Sequence, residues 1–193
     1  GLKHPPSSME MAALSYGDAA NCVLFGTEWF ADFRSKYGHL ILVFQELEQE
    51  LKSTVDYMKM CCEKHGIDEE FEAEPKNSTF EILIRMFASQ LDRSDGSRDL
   101  VSRLHQARKY RNRLAHDFTS AESLGDHLSA GGRARTIGQL DARINHVIPL
   151  VMIVHRIGRA YASDVGMTDQ FMDEEVDRIR DRLGLDKDQM VTY

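Results

Sequence analysis

One feature restricts the fold more than any other: from Phe25 to about His65 the apolar side chains keep a helical period. Phe30, Phe33, Tyr37, Ile41, Phe44, Leu47, Leu51, Val55 and Met58 recur every three or four positions. Gln45, Glu46, Glu48, Gln49 and Lys52 lie between them as an outer face. A helix of this kind draws its stability from burying its stripe against other elements, so the chain needs partners for it. Gly38 either divides the segment into two helices or bends it.

The rest of the chain supplies such partners. Residues 66–77 hold a glycine, a proline and the acids Asp68, Glu69, Glu70, Glu72 and Glu74, and read as a loop. Ser78 and Glu81 have the spacing of a capping box, which predicts a helix to about Leu91 that buries Phe80, Ile82 or Leu83, Met86 and Phe87. Ser94-Asp95-Gly96-Ser97 reads as a turn, followed by a helix from Asp99 to Ala115 or Phe118. Residues 119–134, with Gly125, Gly131 and Gly132, read as a loop. A long helix from Arg135 to Ser163 uses Ile137, Leu140, Ile144, Val147 or Ile148, Val151, Val154, Ile157 and Tyr161, with a kink expected at Pro149. Thr168 can cap a last helix carrying Phe171, Val176, Ile179 and Leu183. No segment alternates as a strand does, and three of the four prolines avoid the strongest periodic runs. The expected fold is all-α, an up-and-down bundle of about five main helices. Residues 1–20 are expected to be a flexible leader, with Met9 or Met11 nearer a native start, and residues 21–193 a single domain.

Apolar residues at 42% and charged residues at 28% exclude a disordered or fibrous chain. No run of eighteen apolar residues offers a membrane span, and three cysteines, two of them adjacent, make a poor disulfide set. From the cysteines we expect a reducing cytoplasm. The formal charge of −7 argues against a surface that binds nucleic acid all over. Yet Arg98, Arg103, Arg108, Lys109, Arg111 and Arg113 face only Asp99 in the segment up to His116, a local basic stripe.

On a helical wheel Leu100, Leu104, Ala107, Leu114 and Phe118 form one stripe, with Arg111 in its middle. A lone charge cannot be buried there, so Arg111 must reach the surface, pair with an acid, or face a cleft or a partner. Arg108, Asn112 and His116 line the neighbouring stripe. Arg111 and His116 are about 140° apart round the axis and about 7.5 Å apart along it. A site shared by both needs the helix to end or bend near Leu114, or a second chain to complete it.

Tyr110-Arg111-Asn112-Arg113-Leu114-Ala115-His116-Asp117-Phe118 resembles the signature of the HEPN superfamily: an arginine, a polar residue beside it, and a histidine four to six positions after the arginine. The order of helices over residues 25–163 is loosely similar as well. The resemblance implies a metal-independent endoribonuclease or RNA-binding domain, with a composite site across a homodimer. Arg111, Asn112 and His116 would be its catalytic residues, and Arg108 and Arg113 would bind the RNA phosphates. Some members are toxins paired with a nucleotidyltransferase antitoxin, and others are defence components. Toxins of that kind carry a tyrosine two positions after the histidine, where this chain has Phe118. The mannitol-operon-repressor family holds a similar Arg-Asn…Ala-His segment, which keeps open a silent helical module that binds a protein partner or regulates transcription.

The residue types suit the chemistry. Attack by a ribose 2′-OH needs a base that titrates near neutrality, as histidine does, and a fixed guanidinium for the charge growing on phosphate. Alternatively, Arg111 and Asn112 pair with acids or helix-end carbonyls, and His116 caps a helix. No other motif competes. Cys61, Cys62 and His65 fall short of a four-ligand zinc site, His146 and His155 are isolated, and Gly131-Gly132 lacks the lysine of a phosphate loop. Neither a metal nor a cofactor is expected.

Overall fold

The structure, a computed structural model, describes residues 28–68, 71–92, 94–117, 129–167 and 169–185, the side chains at 115–117, 169, 171 and 172 excepted. Phe118, the expected loop over 119–128 and the expected cap at Thr168 lie outside the described residues. The described residues form α1 (Glu28–His65), a 3-10 turn (Pro75–Asn77), α2 (Phe80–Ser89), α3 (Asp95–Asp117), α4 (Ala130–Asp164) and α5 (Asp169–Leu183), with no strand among them. The fold is an all-α bundle, as the periodicities predict.

α1 runs unbroken through Gly38 and buries Phe33, Leu40, Val43, Phe44, Leu47, Leu51, Val55 and Met58. Its main partner is α4. Trp29 Nε1 donates to the Arg133 carbonyl, Lys36 pairs with Asp141, Thr54 Oγ1 donates to the Val154 carbonyl, and Glu50 meets His155. Each pair is separated by 100 to 105 residues. A constant sequence offset along two helices means that they run parallel. The chain must therefore return between them. Lys59 pairs with Glu74 on the way back, α2 rises beside α1 until Gln90 meets Cys62, and α3 descends until the Leu114 carbonyl meets Tyr37. α5 descends too, with Arg178 near Glu50 and Arg182 on Glu46. From α2 onward the helices alternate in direction.

Three local expectations are corrected. Thr79, not Ser78, caps α2: its hydroxyl accepts from the Ile82 amide at 3.4 Å, while Ser78 Oγ donates to the Glu74 carbonyl. Glu81 is thereby released from the cap and pairs with Arg108. The Ser94–Ser97 turn is the start of α3, because Ser94 Oγ accepts from the Ser97 amide and so satisfies a first-turn donor. Gly131 and Gly132 belong to α4, since Ser129 Oγ caps the Gly132 amide at 3.0 Å and turns the chain into the helix earlier than the glycines suggest.

α4 continues through Pro149, where Val147, Ile148, Leu150, Val151 and Met152 are all buried. By length and composition it is also apolar enough to cross a membrane, with a mean hydropathy of 1.2 in its best window; in this fold that apolarity packs against α1 and the rest of the core. α1 and α4 pack tightly at Gly158, where an added Cβ would come within 2.5 Å of Thr54 Oγ1. Gly158→Ala is expected to lower stability by about 1–2 kcal/mol, overpacking outweighing the helix-propensity gain. Gly138, on the same helix with open space around it, is the control: Gly138→Ala should raise stability by about 0.5–1 kcal/mol in the same urea titration.

Candidate functional site

α3 presents its apolar stripe inward as the wheel predicts, burying Leu100, Leu104, Ala107 and Leu114. Arg111 escapes the core at the edge of this stripe. Its Nη2 lies 3.1 Å from Glu48 Oε2 on α1, its guanidinium carbon lies 5.9 Å from the centre of the Phe80 ring on α2, and its side chain is 46% exposed. Glu48 accepts from Lys52 as well, at 3.1 Å. Of the outcomes the wheel leaves open for Arg111, the fold supplies a surface and an acid together: Glu48 from α1 and the Phe80 ring from α2 brace the guanidinium.

The other residues of the motif are placed unevenly. Arg108, on the next stripe, turns to Glu81 on α2 and is largely covered. Asn112 and Arg113 are exposed. α3 stays helical as far as Asp117, so position 116 lies about 140° round the axis from position 111. The helix neither ends nor bends at Leu114 to bring the two together. Tyr37 Oη donates to the Leu114 carbonyl at 3.4 Å and ties this end of α3 to α1. On the far side Tyr110 accepts from Gln106 at 2.6 Å, packs edge-on against His146 with ring centres 5.7 Å apart, and lies under Arg143.

Glu48, Lys52, Phe80, Glu81 and Tyr37 escape a reading of the motif alone, because each comes from another helix. One signal was available. Glu48 and Lys52 are themselves an i, i+4 acid–base pair, which marks a charged stripe on α1 that a basic helix could meet.

The cysteines play a different part. Asp164 Oδ2 accepts from the Cys61 thiol at 3.2 Å and lies 2.7 Å from His65 Nε2, which joins the C-terminal ends of α1 and α4. Burial and the adjacent Asp164 carboxylate push the Cys61 thiol up to about 11, so it stays protonated and donates. Among the described residues no group of three His, Cys, Asp or Glu side chains is arranged to hold a metal ion.

No protein-family model, curated protein or solved structure matches the chain.

Two outcomes follow from this geometry. Arg111→Ala should cost at most about 1 kcal/mol in urea unfolding, the range for a half-exposed ion pair, and not the about 3–5 kcal/mol of a broken buried one. Cys61 should resist iodoacetamide at pH 8 in the native protein and react fully in denaturant, as mass spectrometry of the digested protein would report.

Proposed function

We propose that the chain is a HEPN-like domain that acts on RNA as a cytoplasmic homodimer, as a metal-independent endoribonuclease. His116 serves as general acid and base, Arg111 stabilises the charge on the scissile phosphate, and Asn112 assists. Arg113, exposed on the same end of α3, offers a further phosphate contact. The observation that carries this reading is the continuous helix through position 116 together with a surface-braced Arg111. The two positions diverge round one helix, so a site using both is completed by a second copy, with the arginine of one protomer beside the histidine of its partner. A guanidinium fixed by Glu48 and Phe80 loses little freedom on meeting a phosphate, and preorganisation is what electrostatic catalysis requires. A toxin or defence role with a nucleotidyltransferase-type antitoxin is the biological setting this reading favours.

A second reading rests on the same pairs. Glu48 and Glu81 account for Arg111 and Arg108 within the chain, which is what a catalytically silent module for a protein partner or for transcriptional regulation would need.

Cleavage of a mixed RNA pool in EDTA separates them. The wild type should cleave, and His116→Ala should lose about 10²–10⁴-fold in rate with an unchanged helical circular dichroism spectrum. Light scattering should give a dimer. A wild type that binds no RNA and cleaves none decides for the silent module.

A further inference from the structure

A second constellation lies on the other side of α1. Glu48 faces α3, whereas Glu50 is about 200° further round and faces α4 and α5. There a cavity of about 440 Å³ is lined by Ser53 and Tyr57 of α1, His155 and Arg159 of α4, and Glu175 and Arg178 of α5. Its size is that of a small-molecule site.

The wall of this cavity holds a buried pair. His155 is 4% exposed, and its Nδ1 lies 3.0 Å from Oε2 of Glu50, which is 5% exposed. The other ring nitrogen, Nε2, is shut off from solvent and has no hydrogen-bond partner. Charged side chains of both signs surround the pair. Glu46, Glu50, Asp173 and Glu175 are met by Arg159, Arg178 and Arg182, so the acids exceed the arginines by one. His155 lines the cavity beside them, and its Nε2 is a buried polar atom in need of a partner.

Both arginines that line the cavity are held by carboxylates of α5, the exposed Asp173 and the half-buried Glu175. Arg159 Nη1 lies 3.0 Å from Asp173, and Arg178 pairs with Glu175. These acids occupy the arginine donors that an incoming oxyanion would take.

We propose that the cavity between α1, α4 and α5 binds a small oxyanion-bearing ligand, a phosphate ester or a carboxylate, received by Arg159, Arg178 and the Nε2 of His155. The ligand oxygens replace Asp173 and Glu175 on the arginines and supply the partner that Nε2 lacks. Bidentate guanidinium contacts select an oxyanion over a neutral polyol. The site is independent of the RNA-directed reading of α3.

Isothermal titration of the full chain with inorganic phosphate, glycerol 3-phosphate and succinate tests this, with the histidine ring nitrogens followed by nitrogen-15 NMR. The expected result is saturable binding at one site per chain for at least one probe, with the His155 Nε2 resonance moving at saturation. Binding of the phosphates alone assigns a phosphate ester, and binding of succinate alone a carboxylate. Arg159→Ala, at the exposed mouth, should weaken binding about tenfold or more. Glu175→Gln, which removes a competing carboxylate, should tighten it. Arg85→Ala on α2, an exposed arginine outside both sites, should leave it unchanged. The proposal is overturned if no probe binds saturably, if Arg159→Ala binds as the wild type does, or if the His155 resonance stays still at saturation. The last criterion holds even if substitution of the buried histidine unfolds the chain.

Discussion

Everything in this bundle is arranged around the parallel packing of α1 on α4. Antiparallel helices need only a short loop, but parallel ones oblige the chain to travel back the length of the bundle before the second can start. Here the return is made by the segment through Glu74, by α2 and by α3. α3 is thus held to the outside of the α1–α4 pair by the topology itself. Its inner stripe is taken up by Leu100, Leu104, Ala107 and Leu114, and its basic residues are left at the rim. One tight contact of the parent pair is Thr54 against Gly158, where the Thr54 hydroxyl also donates to the Val154 carbonyl. A bulkier residue at 158 would move the two longest helices apart and, with them, both walls on which α3 and α5 rest.

α1 distributes charge as well as apolar surface. Glu46, Glu48 and Glu50 point to three different neighbours: Glu46 to Arg182 and Arg178 of α5, Glu48 to Arg111 of α3, and Glu50 to His155 of α4. Burial pushes the Glu46 carboxyl above the ordinary carboxylate range, and the Arg182 hydrogen bond pulls it back. Such pairs add little net stability against an apolar alternative, because desolvation offsets attraction. What they do is make wrong registers costly. If α5 slid by one turn, Glu46 and Glu50 would be buried without their arginines.

The sequence shows the fold class and most of the core, and the reason is periodicity. Phe44, Leu47, Leu51 and Val55 on α1, and Leu140, Ile144, Val151 and Val154 on α4, announce themselves by spacing alone, whereas Ile41, read as part of the stripe, is exposed and its neighbour Leu40 is buried in its place. Helix ends are less legible because two adjacent residues can both cap: Ser78 and Thr79 compete, and only the geometry awards the cap to Thr79. Polar positions mislead for a different reason. Glu46 reads as outer face beside Gln45 and Glu48, yet it is 3% exposed. The clue lies in matched spacing, since Glu46 and Glu50 are four apart, as are Arg178 and Arg182. Matching the two pairs requires knowing that α5 runs antiparallel to α1, which periodicity does not contain. His155 is hidden in the same way, since an isolated histidine gains meaning only when Glu50 is brought to it from 105 residues away.

The motif itself shows where pattern ends and packing begins. From the wheel, Arg111 in an apolar stripe demands a surface, a partner or a cleft. In the fold it has a surface and a partner together, because α2 ends its apolar cover at Phe80 and α1 offers Glu48 just beyond it. Lys52 shares the same carboxylate, so Glu48 does not cancel Arg111 alone; Glu48, Lys52 and Arg111 together leave a net positive charge at the surface. An anion arriving there meets a guanidinium already oriented, beside a carboxylate whose charge is divided between two cations. The ion pair and the anion-binding role are thus compatible. The glutamate fixes the direction of the arginine, and the lysine weakens the repulsion that the glutamate would otherwise exert on a phosphate.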